Sequence, residues 1–374
     1  MQRRPGQAMS RGAGIRMLLA AAAFLAAGPA ARAQDGNTLS AASIPVLCYH
    51  RFGGHNAQDA YSVTPEEFAA QLEMIQAEGM TPVSLSSLAA GLKGASRLPA
   101  KPVVITVDDG YRDFNKHARP LLAAKGYAAA LFVYPAFVGT KHGFSRQDLA
   151  ELQAAGFEIG SHSATHAYLT RRPAGETPEA RQARLQAELA GSREKLREWS
   201  GGEVLALSYP YGLWDQETAE AAQAAGHELM FTVDPGPNDA ATPRYALKRT
   251  MILRGLTPGI FLSILREAPL RVGGWEPALG ARVAGPLLRL TFSLDPEQSQ
   301  RLKPNTLAVT RQNQALPLRF DAARGRYEIT LPKPWQRGTD LLILTARDQG
   351  NRRLRDSRLV IVDPAMEAKG LTTP

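Results

Sequence analysis

The chain has 374 residues, 44% of them apolar and 21% charged, a single cysteine and a formal net charge of +9. This length supports a sizeable core and predicts two domains, or one large domain with an accessory. Arg3, Arg4, Arg11, Arg16 and Arg32 lie in an N-terminal stretch without acids, so about +4 remains beyond it, which argues against nucleic acid as a partner. With Cys48 alone there is no intramolecular disulfide to form.

Residues 1–33 read as a secretory signal. Arg11 and Arg16 are its positive flank, Met17 to Ala27 its apolar segment and Ala31-Arg-Ala33 its cleavage site. The apolar segment is short for a membrane span. The expectation is a chain secreted across the inner membrane, to a periplasm or cell surface.

Ile44 to His50 is predicted as a short strand ending in Tyr49 and His50, with Cys48 as a packing residue. Thr64-Pro-Glu-Glu67 is a capping box that starts a helix with Phe68, Leu72 and Ile75 on one face. Predicted helices then end at Gly79, Gly126, Gly156 and Gly226. Each glycine is followed by an apolar strand: Thr81 to Leu85, Ala128 to Tyr134, Phe157 to Gly160, and Glu228 to Val233. Val103 to Val107 and Val204 to Ser208 add two more. Alternation of strands and helices predicts an α/β fold with a parallel sheet, a (β/α) barrel or an open doubly wound sheet. Thr177 to Trp199 is expected to be a long charged helix whose Arg and Glu run is a solvated surface. Thr257 can cap a last helix, Pro258 to Arg266. From near Gly273 short alternating strands predict a small all-β sandwich over residues 274–364, with an immunoglobulin-like turn at Thr345 to Asn351.

Three strand ends carry chemistry. Asp108 and Asp109 close the apolar run Val103 to Val107. Alone they are a turn, a carboxylate pair or half of a metal site. A glycosidase pair is disfavoured, because adjacent residues do not place carboxyls on opposite sides of a sugar ring. His162 and His166, four apart, add two imidazoles, which with Asp109 suit Zn²⁺ or a similar divalent ion with open positions. Asp108 is then the natural general base. Tyr211, between Pro210 and Gly212, offers a rigid backbone N–H for an oxyanion. Trp214 is a candidate for stacking on a sugar, or a core tryptophan.

These stretches together resemble the polysaccharide deacetylase family (carbohydrate esterase family 4, the NodB homology domain). Its three motifs are matched by Thr106-Val-Asp-Asp-Gly110, His162-Ser-Ala-Thr-His166 and Ser208-Tyr-Pro-Tyr-Gly212, within residues 44–267. The resemblance implies a distorted (β/α) barrel for residues 44–267, which the strand pattern has followed by the small immunoglobulin-like sandwich. It implies Asp108 as base, Asp109, His162 and His166 as ligands of a divalent metal (zinc, with cobalt or nickel as alternatives), and Tyr211 as an oxyanion donor. Two positions depart from the pattern. Ser208 stands where the family has an arginine that orients the base, and Lys248 and Arg249 are the candidates to replace it. No histidine follows His227, so the family's late acid histidine is missing. The opening Pro45 to His50 resembles a permuted branch that includes poly-β-1,6-N-acetylglucosamine deacetylases of biofilm systems, which implies His50 as general acid. Asp234 is a weaker candidate for orienting it. The implied substrate is an exported N-acetylglucosamine polysaccharide, with chitin oligomers, peptidoglycan or another exopolysaccharide as alternatives and polysaccharide export machinery as a further partner. A non-catalytic polysaccharide-binding protein is the rival motivated by Ser208 and by the added β-sandwich.

Overall fold

The computed structural model describes residues 43–53 and 58–363. The expected signal segment, residues 1–33, lies outside them. Among the described residues no helix is long and apolar enough to cross a membrane.

The first part is a parallel sheet. Its strands are β1 (Val46–Tyr49), β2 (Pro102–Val107), β3 (Ala130–Val133), β4 (Glu158–Ser161), β5 (Ala206–Ser208), β6 (Leu229–Phe231) and β7 (Thr250–Met251). They pair in the order β7-β1-β2-β3-β4-β5-β6, and the short strand Thr81–Pro82 pairs beside β2. The two edges come together through one segment. Leu47 pairs with Thr250, and Leu247, three residues earlier, forms a parallel bridge to Phe231. The sheet therefore curls toward a (β/α) barrel, as the alternating elements predicted.

Side chains two apart on a strand share a face. Val104, Val46, Ala130, Phe132, Ala206, Leu229 and Phe231 point inward and fill the base of the barrel. Val103, Ile105 and Val107 point outward, into the larger core between sheet and helices. Continuing the inward row past the strand ends gives His50, Asp108, His162 and Ser208. The period of two thus delivers the polar residues to one mouth of the barrel, at the carboxyl ends of the strands.

The predicted capping box is present. Glu67 N–H donates to Thr64 Oγ1 at 3.2 Å, Thr64 N–H donates to Glu67 Oε2 at 2.8 Å, and Phe68, Leu72 and Ile75 are buried. Gly79, Gly126, Gly156 and Gly226 all take positive φ, from 63 to 89°. One predicted strand is a correction. Thr81 to Leu85 is extended only at Thr81–Pro82, because Ser84 caps a helix, Leu85–Leu92, that buries Leu85 and Leu88. The long helix is observed as Pro178–Ser200, capped by Thr177.

From Ala268 to Val362 the chain is mostly β, with one short helix, Pro296–Gln300. A sheet containing Val272–Glu276, Leu287–Leu294, Arg326–Trp335 and Leu318–Asp321 faces one built on Ala308–Arg311, Gly338–Arg347 and Arg353–Val362. They share a core of Leu290, Phe292, Ile329, Val309, Leu344 and Val360. Ala268–Pro269 and Arg282–Val283 pair in parallel with the last strand, so the connection from the barrel is built into the second sheet.

Candidate metal centre and catalytic cleft

The mouth of the barrel opens as a cleft of about 520 Å³ lined by His50, Asp108, Asp109, His162, His166 and Tyr211, among others. The structure brings together six of the residues expected from sequence. Asp109, Ser163, His166 and Tyr211 all take positive φ, between 59 and 73°. Non-glycine residues rarely do so, and a surrounding structure must hold them there. Three such residues lining one cleft, with Ser163 buried behind it, mark a backbone shaped for side-chain and N–H placement.

Asp109 Oδ1 lies 3.6 Å from His162 Nε2 and 3.5 Å from His166 Nε2, and all three ligand atoms lie within 4.8 Å of one another. Two ligands at Zn–N or Zn–O distances in a tetrahedral site stand roughly 3.3–3.5 Å apart. The donor set and spacing therefore fit a divalent cation. His162 Nδ1 lies 2.8 Å from Ser208 O, which fixes the ring so that Nε2 faces the carboxylate. Burial lowers the pKa of His162 to about 3, leaving a neutral imidazole, the form that binds metal. Burial, with Asp108 alongside, pushes Asp109 up to about 7.

The loop between the histidines is held from behind. Glu188, on the helix Pro178–Ser200, accepts from the N–H groups of Ala164 and Thr165, each at 3.0 Å, and from Thr165 Oγ1 at 2.7 Å. Ser192 Oγ donates to Ser163 O at 3.0 Å. The expected solvated charged face is present at Glu179, Glu194, Lys195, Arg197 and Glu198, which are exposed, but two charged residues depart from it. Glu188 and Arg181 are buried, and Arg181 donates to Leu169 O and Arg171 O. The signal missed in sequence was that Glu188, Ser192 and Leu185 share one helical face.

Asp108 is treated differently from its neighbour. Arg249, fully buried, grips it with two parallel bonds, Nη1 to Oδ1 and Nη2 to Oδ2, both 2.7 Å. Ser208 Oγ donates to Asp108 Oδ2 at 3.1 Å and accepts from Arg249 Nη2 at 2.7 Å. Arg249 also donates to Thr106 Oγ1 at 3.1 Å and to Thr232 O at 2.8 Å. Burial would raise the Asp108 pKa, but Arg249 and His162 outweigh it and hold the carboxyl below its usual range. The arginine missing at Ser208 is thus supplied by Arg249, from the segment that closes the barrel. Ser208 fits because a small hydroxyl bridges the pair where a long side chain would collide. Lys248, the other candidate, turns away and pairs with Asp356 at 2.8 Å.

His50 lies under the exposed ring of Tyr61, with centroids 5.1 Å apart. One of its ring nitrogens, Cys48 Sγ and an Asp108 oxygen lie within 4.8 Å of one another. Its Nδ1 is buried without a hydrogen-bond partner among the described residues. Burial lowers its pKa, against the pull of Asp108.

Two expectations are corrected. Asp234 does not orient His50: it is buried in the wall facing the sandwich, and its Oδ2 accepts from Leu359 N–H at 3.3 Å. Trp214 does not face a sugar. It is 2% exposed, stacked near Tyr209 and covered by Gly280, where a β-carbon would sit 2.6 Å from the indole. The exposed rings at the cleft are instead Tyr61, Tyr211 and Tyr168, the last two stacked at 3.9 Å and 5°.

Residues 95–230 match the family model described as polysaccharide deacetylase, and the cleft residues Asp108, Asp109, His162, His166 and Tyr211 all fall within the match. The chain carries a polysaccharide deacetylase domain. Such proteins are hydrolases of N-acetyl amide bonds. The chain is 28% identical over 220 residues to the candidate polysaccharide deacetylase YxkH of Bacillus subtilis, covering 59% of this chain and 75% of that protein. It is 22% identical over 263 residues to the poly-β-1,6-N-acetyl-D-glucosamine N-deacetylase of Escherichia coli K12, covering 58% of this chain and 39% of that protein. Among solved structures, IcaB from Ammonifex degensii superposes with a TM-score of 0.52 at 26% identity, covering 60% of this chain and 96% of that chain.

Proposed function

We propose that this deacetylase removes N-acetyl groups from an exported N-acetylglucosamine polysaccharide, with poly-β-1,6-N-acetylglucosamine of biofilm matrix as the substrate, in a reaction that requires a divalent metal, zinc foremost. The single observation that carries the reading is the split of adjacent carboxylates. Asp108 is clamped by Arg249 while Asp109 faces His162 and His166, all in one cleft. The substrate is supported by the names of the relatives in E. coli and Staphylococcus aureus, both poly-β-1,6-N-acetyl-D-glucosamine N-deacetylases.

Asp109, His162 and His166 hold the metal in this reading. When bound, it polarises the acetyl carbonyl and lowers the pKa of water. Asp108 takes the proton as the water oxygen attacks the carbonyl carbon. Among the described residues one hydrogen bond falls on its Oδ1, from Arg249, which leaves that oxygen room for a further donor. The Tyr211 N–H, fixed by the φ of 61°, faces the developing oxyanion. His50 donates its proton to the nitrogen as the C–N bond breaks, and acetate and a free amine leave. A depressed pKa makes its imidazolium the stronger acid. The non-catalytic alternative rested on Ser208 and on the added β-sandwich, and Arg249 removes the first of these motives.

Acetate release should be measured on β-1,6- and β-1,4-linked N-acetylglucosamine oligomers of equal length. The reading expects the β-1,6 series to be preferred and His50→Ala to cut turnover sharply on it. Preference for the β-1,4 series would reassign the substrate to chitin-like or peptidoglycan chains, and unchanged turnover in His50→Ala would remove it from the mechanism. Export to the periplasm or cell surface belongs to the same proposal, and fractionation of cells expressing the full chain tests it.

A further inference from the structure

The segment that closes the barrel carries two neighbouring cations with opposite tasks. Arg249 points inward to Asp108. Lys248 points outward and pairs with Asp356, on the last strand of the sandwich, at 2.8 Å. The backbone around them is gripped from the same strand. Ser357 Oγ donates to Pro235 O at 2.7 Å, and Leu359 N–H donates to Asp234 Oδ2 at 3.3 Å. Asp234 O in turn accepts from Arg249 N–H at 3.2 Å, and Asn238 bonds both the N–H and the C=O of Lys248, at 2.8 and 2.9 Å. Three successive contacts from one strand thus converge on the residues that flank Arg249.

The geometry points to the β-sandwich as a positioning element of the deacetylase centre: its strand Arg353–Val362, through Asp356, Ser357 and Leu359, sets the placement of Arg249 and so of Asp108. This rests on the proposed assignment of Asp108 as base. The physical ground is that the closing segment is held in the barrel by short pairings, Leu47 to Thr250 and Cys48 to Met251 on one side and the single Leu247 bridge to Phe231 on the other. A two-residue strand does not fix a long guanidinium side chain to within the few tenths of an ångström that a base needs. The part-buried ion pair of Lys248 and Asp356 and the hydrogen bonds to Asp234 and Pro235 add constraint on the backbone from the far side. The sandwich also meets the barrel elsewhere. Arg282 binds Asp215 at 2.9 Å and Thr170 O at 2.8 Å, well away from this path. Docking of the two parts and positioning of Arg249 can therefore be separated.

The test compares Asp356→Asn, Asp356→Glu and Arg282→Met in the full chain. Two readouts are used: hydrogen exchange of the Arg249 side-chain N–H groups, observed with ¹⁵N-arginine and assigned by their loss in Arg249→Lys, and kcat and KM for acetate release with metal content measured in parallel. The inference expects Asp356→Asn to speed the Arg249 exchange at least about tenfold. It expects kcat to fall by at least about tenfold with KM and metal content unchanged. Asp356→Glu should restore both, and Arg282→Met should leave both as in the wild type. Unchanged exchange in Asp356→Asn overturns the inference, as does an equal effect of Arg282→Met, which would reduce the strand to a docking contact. Should Asp356→Asn not fold, Ser357→Ala takes its place with the same expected direction. Because the exchange readout needs no substrate, it decides the positioning claim even if Asp108→Asn retains turnover and the base assignment falls.

Discussion

Replacing Arg249 with methionine tests the centre at its most buried charge. The side chain is 0% exposed and makes five hydrogen bonds, two of them a parallel fork on Asp108 at 2.7 Å. Removing one partner of a buried pair leaves the other uncompensated, at a cost of about 3–5 kcal/mol. For a body of this size that is a melting temperature lower by about 6–20 °C. The pH dependence should also change sign. In the wild type the folded pKa of Asp108 lies below its ordinary value, so its contribution is complete above about pH 4 and is lost only in stronger acid. Without Arg249, burial, the largest influence on this carboxyl, is less opposed and raises the folded pKa. Stability then falls as pH rises above about 4. Urea denaturation of both proteins at pH 4.5 and pH 7 measures this, and acetate release should drop by roughly a hundredfold or more. The double variant with Asp108→Asn should recover part of the lost stability. A melting temperature within about 2 °C of the wild type, or a variant less stable at pH 4.5 than at pH 7 by as much as the wild type is, would refute the reasoning.

Glu188→Gln weakens three bonds that hold the histidine loop; zinc affinity, measured by chelator competition, should fall by about 10–100-fold. His227 is buried, and burial lowers its pKa to about 3, so its contribution is full above pH 6.5 and is lost as pH falls toward 3. The loss at pH 5 should be about 2 kcal/mol, and His227→Gln should abolish it in denaturation measured at pH 5 and pH 7. Tyr168→Ala removes half of the exposed stacked pair and should raise KM for an oligomer roughly fivefold with kcat unchanged. Trp214→Ala should instead destabilise the fold by about 3–5 kcal/mol, since the indole is core.

The residues that sequence made legible are those fixed by short-range pattern. The strand of Val103 to Val107, the capping box at Thr64 and the cap at Thr257 each depend on neighbours within a few positions, and each is present. So is the split of Asp108 from Asp109, because successive side chains at a strand end diverge. The misses are long-range. Arg249 reaches Asp108 across 141 positions of chain, and nothing local distinguishes it from Lys248. Glu188 looks like any other acid in an Arg- and Glu-rich helix until the histidine loop packs over it. Trp214 sits beside a cleft motif but is covered by Gly280, 66 positions later, so burial overrode a reading based on proximity in sequence. Asp234 was placed near His50 by its strand end, whereas the sandwich strand, more than a hundred residues on, claims its carboxylate.

The most direct test of the divided carboxylates is to measure bound zinc and acetate release together in Asp108→Asn and Asp109→Asn. Asp108→Asn should bind one zinc per chain and release no acetate, while Asp109→Asn should lose the metal and the activity together. Turnover by Asp108→Asn, or a full complement of zinc in Asp109→Asn, would contradict the assignment of one carboxylate as base and the other as ligand.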